Sequence, residues 1–255
     1  MADIVPFKGI LYNEERIGNI ADVVTPPYDV ITESGREAFY RRHPNNAIRL
    51  DKNKPEPADT ESNNAHTRAA ACFRDWQNQN ILVRDAEPAL YLTSVRFIAN
   101  GWENIRLGLV ARVRLETFEK GIILPHEKTF SKVKTDRLAL IKSCHANFSQ
   151  VFSIFADSGG VLSMLRKAVA DAAPVFSFDD DDGHHHMMWR ITDPDLHTSA
   201  NQALKNCRLY IADGHHRYET ALNYRKWRQQ QDPEMDENHP ANFIMMYPAD
   251  MNDPG

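Results

Sequence analysis

Two alternating runs constrain the fold more than any other feature of this chain: ALYLTSVRFI at residues 89–98 and RLGLVARVRLE at 106–116, joined through NGWEN. Successive side chains of a strand point to opposite faces, so such runs bury one face each only when they pair as a β-hairpin. A hairpin of this length needs a cover for its apolar face. The remaining patterning supplies helices for that purpose. Spacing predicts helices over 65–79, 132–146 (with Leu138, Ala139 and Ile141 inward), 161–172 after Gly159–Gly160, and 215–230. Short strands are expected over 151–155, 174–178, 187–192, 207–213 and 242–248. The fold class expected is α+β, with an N-terminal wrapping region over 1–85 and a core over 86–255. VVTPPYDVI at 23–31 reads as a stiff loop or turn, and the first half of 53–68 as a surface loop.

Composition excludes several classes. With 255 residues, 42% hydrophobic and 25% charged, the chain can build a full core as one domain or two. Its net charge of -5 provides no overall basic field for nucleic acid or a membrane surface. Cys72, Cys144 and Cys207 are far apart and form no CxxC pair, which points away from a zinc ribbon or disulfide framework and toward a reducing compartment. No secretory leader or spanning apolar run is present, so a soluble, cytoplasmic protein is expected. The chain stops at a turn just after a strand, which reads as truncation.

Chemistry concentrates at IADGHHRYETAL, residues 211–222. A strand runs into Asp213 and Gly214, and a helix opens at His215, His216 and Arg217. Glycine lets the backbone turn and a ligand approach closely. The helix start offers unpaired N–H groups and a positive dipole end, which suit phosphate. Arg217 can clamp phosphate oxygens, and Asp213 can hold Mg²⁺. His215 and His216 lack a third histidine or cysteine at ligand spacing, which points away from a structural zinc. A second constellation is ILPHEKTFSKVKTDRLAL at 122–140. There His126 and Glu127 follow a strand-like triplet, with Glu127 placed to act as general base. Lys128, Lys132, Lys134 and Arg137 crowd the residues after it and can neutralise phosphate charge. DDDDGHHH at 179–186 reads as a solvated hairpin tip, because adjacent residues of an extended run face opposite ways. Tyr28 and Asp29 belong to a plain turn, and Cys207 to a buried strand. No G-x-S-x-G elbow and no P-loop occurs.

ADGHHRYETAL resembles the phosphate-binding box of the ParB/sulfiredoxin superfamily, and within it the free-serine-kinase-like branch. The wider set PPYDVI, LPHEKTF, the VFSIF strand and ADGHHRYETAL resembles a bacterial and archaeal family known as domain of unknown function ten-fifteen, over nearly the whole chain. Members of that family continue beyond a DPG such as Asp253-Pro254-Gly255. The resemblance implies a ParB/sulfiredoxin-like nucleotide-binding core. His215 stands where sulfiredoxins place their reactive cysteine, so sulfinic-acid repair is not expected. The acidic chain ends soon after the box, so DNA binding is not expected either.

What the resemblance implies is ATP- or ADP-dependent phosphoryl transfer to the hydroxyl of a small-molecule substrate. Gly214, His215, His216, Arg217, Lys128, Lys132 and Arg137 would bind the nucleotide. Asp213 would hold Mg²⁺, and the charge pattern at 122–140, rather than the resemblance, assigns the chemistry to Glu127, with His126 and Asp213. A nucleotide-binding regulatory protein without turnover and a metal-dependent phosphohydrolase are the alternatives. The acceptor and the oligomeric state are left open.

Overall fold

A computed structural model of the chain describes residues 1–127 and 131–253, with residues 131 and 132 described by their backbone alone. It divides the chain into two compact units. Unit 1 comprises Met1–Lys8, Ala86–Lys134 and Gln150–Gly255, and unit 2 comprises Gly9–Asp85 and Thr135–Ser149.

In chain order the elements are β1 (Ile4–Val5), β2 (Ile10–Tyr12), α1 (Glu14–Ile17), α2 (Glu33–Arg42), α3 (Ile48–Asp51), α4 (Ala65–Asn78), β3 (Leu82–Arg84), β4 (Leu90–Ala99), β5 (Trp102–Arg114), β6 (Ile123–Leu124), α5 (Ser131–Cys144), β7 (Val151–Phe155), α6 (Val161–Ala168), β8 (Phe176–Asp179), β9 (His185–Ile191), α7 (Pro194–Lys205), β10 (Leu209–Asp213), α8 (His215–Gln231) and β11 (Phe243–Asp250). The chain is α+β, with a large mixed sheet.

Among the described residues, unit 1 is built on a nine-stranded sheet in the order β6-β10-β7-β11-β5-β4-β9-β8, with β1 also paired to β5. The expected hairpin forms its centre, from Tyr91↔Val110 to Ala99↔Trp102. β5 begins at Trp102, earlier than the alternation indicated. Asn100 and Gly101 both take positive φ, 52° and 80°, and a two-residue turn of this kind matches the twist of the flanking strands. β11 pairs antiparallel with β5 and parallel with β7. β10 pairs antiparallel with β7 and parallel with β6.

One face of this sheet is covered. Val161, Leu162 and Leu165 of α6, Ala200 and Leu204 of α7, and Tyr218 and Ala221 of α8 form one core with Leu90, Leu92, Leu109, Val113, Val151, Phe155, Ile211 and Met246. Each fully buried leucine contributes about 1.5–3 kcal/mol of transfer free energy. α6 starts where expected, and the Asp157 carboxylate accepts from the Val161 and Leu162 amides at 2.8 and 3.0 Å. It stops at Ala168, short of residue 172. α7 escaped the periodicity reading, although Asp193 as N-cap and Pro194 at the first position mark its start.

Unit 2 holds α1 to α4, the later part of α5, and a two-stranded β2-β3 sheet. Asn64 and Thr67 form a capping box at the start of α4. The inward side of α5 differs from expectation. Leu140 and Cys144 are buried against Ala69, whereas Leu138, Ala139 and Ile141 are only half-buried. The PPYD segment is a turn, with Val30 N–H donating to Pro27 O at 3.2 Å and Tyr28 buried. Among the described residues no helix is long and apolar enough to cross a membrane.

Candidate functional site

The two sequence constellations meet in unit 1 because β6 and β10 are parallel neighbours, with Leu209 opposite Ile123 and Tyr210 opposite Leu124. Parallel strands release their following segments at the same end of a sheet, where ligand sites of α/β sheets form. His126 and Glu127 therefore emerge beside Gly214 and His215.

The hydrogen bonds place a proton on one ring nitrogen of each histidine. His126 Nδ1 lies 2.7 Å from Ile211 O, and a carbonyl only accepts, so Nδ1 carries the proton. The His126 backbone N–H donates to His215 Nε2 at 3.2 Å, so that nitrogen is bare. His215 Nδ1–H is left to donate to Glu127 Oε1 at 3.1 Å. The two imidazoles stand edge to face, 4.5 Å apart at 88°. Burial pushes the His215 pKa below the ordinary histidine value; His126 and His216 push the same way, while Glu127 and Asp213 oppose. His215 is thus a neutral imidazole, 2% exposed, holding a carboxylate that is 52% exposed to solvent.

Gly214 is the N-cap of α8, at φ 91°, a left-handed conformation that favours glycine, and no side chain caps the helix start. Arg217 folds back over it, and a Cβ on Gly214 would lie 2.9 Å from Arg217 Nε. The guanidinium bonds the half-exposed Asp213 carboxylate and the Gln150 carbonyl. Tyr218 anchors this start, with its hydroxyl accepting from Glu116 N–H at 2.9 Å and donating to Glu116 O at 2.8 Å. Lys134 pairs with Glu219 at 2.6 Å.

His216 is half-buried in the first turn of α8. Arg137 belongs to unit 2, where it bonds Asp51 Oδ1 at 3.0 Å and Asp136 Oδ2 at 2.8 Å and lies 4.1 Å over the Tyr28 ring. Lys128 lies outside the described residues, as does the side chain of Lys132 in α5. Sequence reasoning missed the Gln150 and Ile211 carbonyls, because backbone acceptors leave no compositional trace. It also missed the Lys134–Glu219 pair, which joins residues far apart in the sequence.

Donor atoms of His126, Glu127 and His215 lie within 4.8 Å of one another, as a metal would require. Yet the His215 Nε2 lone pair already accepts from His126, so a ligand role would need one of these bonds to break. Thiol chemistry is disfavoured, since burial raises the Cys72 and Cys144 pKa values to about 11 and about 12.

Comparison with known proteins gives one family match. A model described as "Protein of unknown function (DUF1015)" covers residues 4–255. No curated protein and no solved structure matches the chain.

Proposed function

Since the chain belongs to the DUF1015 family, we propose its activity from its own site: nucleotide-dependent phosphoryl transfer to the hydroxyl of a small molecule. The observation that carries this reading is the 3.1 Å contact between Glu127 and His215, which places a solvent-reachable carboxylate beside an anion-receptive helix start.

Nucleotide phosphates fit the residues present. The α8 N-terminus takes no cap from a Gly214 side chain, and the anion-binding Arg217 guanidinium lies over that glycine, where a Cβ would fall. In this reading β10, Gly214 and α8 form a ParB/sulfiredoxin-like phosphate box of the free-serine-kinase kind. ATP or ADP supplies the phosphoryl group, with Mg²⁺ to offset its charge. The chain's own residues do the rest. Arg217 exchanges Asp213 for phosphate oxygens, a charge-assisted bond of similar strength. That exchange leaves Asp213 available as an oxygen ligand for a hard cation. Glu127 removes the proton from the acceptor hydroxyl, while His215, kept neutral by burial, donates one hydrogen bond that orients it.

Titration calorimetry with ATP, ADP and CTP in the presence of Mg²⁺, followed by ³¹P NMR of the mixture with serine and other hydroxyl compounds, tests this reading. Binding of ATP or ADP with transfer to a hydroxyl is expected, and no binding by any nucleotide overturns it. Binding without transfer to any acceptor, unchanged in Glu127→Gln, would favour a regulatory protein instead. The clustering of His126, Glu127 and His215 keeps a metal-dependent phosphohydrolase as a second reading, which requires divalent-metal binding without nucleotide.

A further inference from the structure

The histidine run at 184–186 lies in unit 1 and has no part in the site above. Alternation into β9, which begins at His185, splits it. His185 pairs across the hairpin with Asp179 and bonds its carboxylate at 2.8 Å. His184 and His186, two residues apart, share the other side. Both reach one atom, Asp180 Oδ2, which lies 3.1 Å from His184 Nδ1 and 2.8 Å from His186 Nε2.

The geometry is held from several directions. Asp180 Oδ1 accepts the Asp182 and His184 backbone amides at 3.0 and 2.9 Å, which fixes the carboxylate plane. Phe178 stacks on the His186 ring at 5.0 Å and 9°, and Phe97 meets the His184 ring edge to face at 6.0 Å. The turn is closed by Gly183 N–H to Asp180 O and by Asp180 N–H to His184 O, both 3.0 Å. All three side chains are partly exposed, so an ion can reach their donor atoms.

Two imidazole nitrogens and a carboxylate oxygen are borderline donors suited to zinc, nickel, copper or cobalt. Tetrahedral bonds of about 2.0–2.2 Å place neighbouring donors roughly 3.3–3.6 Å apart, so small side-chain shifts from the donor cluster found here, whose atoms all lie within 4.8 Å of one another, admit an ion. The acids Asp179, Asp181 and Asp182 beside the cluster add a potential that attracts cations. We infer that Asp180, His184 and His186 form a surface site for a divalent transition-metal ion of the zinc class, which clips the β8–β9 turn. The ion replaces the protons the histidines direct at Asp180, and water fills its remaining positions.

The test uses the whole chain, stripped with chelator and titrated with Zn²⁺ by calorimetry and with Co²⁺ by visible absorption. One ion is expected per chain at this site, with Co²⁺ bands of nitrogen and oxygen ligation and a Zn²⁺-dependent rise in Tm. His184→Ala and His186→Gln should each weaken binding at least about tenfold, since even outer partners of metal ligands are worth that much. His185→Ala and His126→Ala should leave it unchanged, and circular dichroism checks that each variant is folded. Absence of Zn²⁺ binding, or equal binding in the His184 and His186 variants, would reduce the cluster to a hydrogen-bonded clasp and overturn the site. Loss in His126→Ala alone would assign the ion to the other cluster and overturn it equally.

Discussion

His215 Nδ1 donates to Glu127 Oε1 across 3.1 Å, so a nearly inaccessible imidazole holds a carboxylate that solvent reaches. The pair divides two tasks. The buried ring fixes direction, and in the proposed reaction the exposed acid takes the proton. Neither residue signals this alone. The parallel register of β6 and β10 brings them together.

Glu127→Gln keeps an acceptor for His215 and removes the base. Transfer in the ³¹P NMR assay should fall about 10²–10⁴-fold, the usual contribution of a general base. Nucleotide affinity by calorimetry should stay within about threefold. Undiminished transfer would remove Glu127 from this role.

Arg217→Lys keeps the charge and loses the planar fork that grips two oxygens. ATP or ADP should bind at least about tenfold more weakly, which corresponds to about 1.4 kcal/mol. An unchanged Kd would place the phosphates away from the α8 start.

His215 should make stability depend on pH. Its folded pKa lies below the unfolded value of 6.5, so the unfolded state binds the extra proton first as pH falls. Its contribution is therefore fully present above pH 6.5 and is lost progressively below it, down to the folded pKa. Urea unfolding at pH 7.5 and at successively lower pH should show this decline in the natural chain and a shallower one in His215→Gln. Parallel slopes would contradict the buried neutral imidazole.

Gly108 lies under the Tyr247 ring, and an added Cβ would sit 1.9 Å from a ring carbon. Gly108→Ala should cost about 1–3 kcal/mol by overpacking, read from urea unfolding. Adding Tyr247→Ala removes the clash, so the double variant should be more stable than the two single costs predict. Simple additivity would refute the close approach.

The sequence by itself determined the local order. The 89–116 alternation gave the central hairpin, Gly160 and Gly214 marked two helix starts, and the strands over 151–155 and 207–213 fell near their observed ends, because these features depend on side-chain period and backbone conformation. The family likeness was also legible, since its motifs lie in order along nearly the whole chain. Tertiary structure decided the rest. Short strands such as β1 and β6 gain stability only from neighbours distant in sequence, and two residues show no period. Residues 135–149 joined unit 2 through the packing of Leu140 and Cys144 on Ala69, a contact no local pattern encodes. His184 and His186 converged on Asp180 only once a turn carried the chain back on itself. The site followed the same rule. Asp213, Gly214 and Arg217 could be read as a candidate anion cradle from the sequence, but the union of Glu127 with His215 required β6 to lie against β10. Hydrogen bonds act over about 3 Å and sequence separation carries no such distance, so only the folded sheet could bring acid and imidazole together.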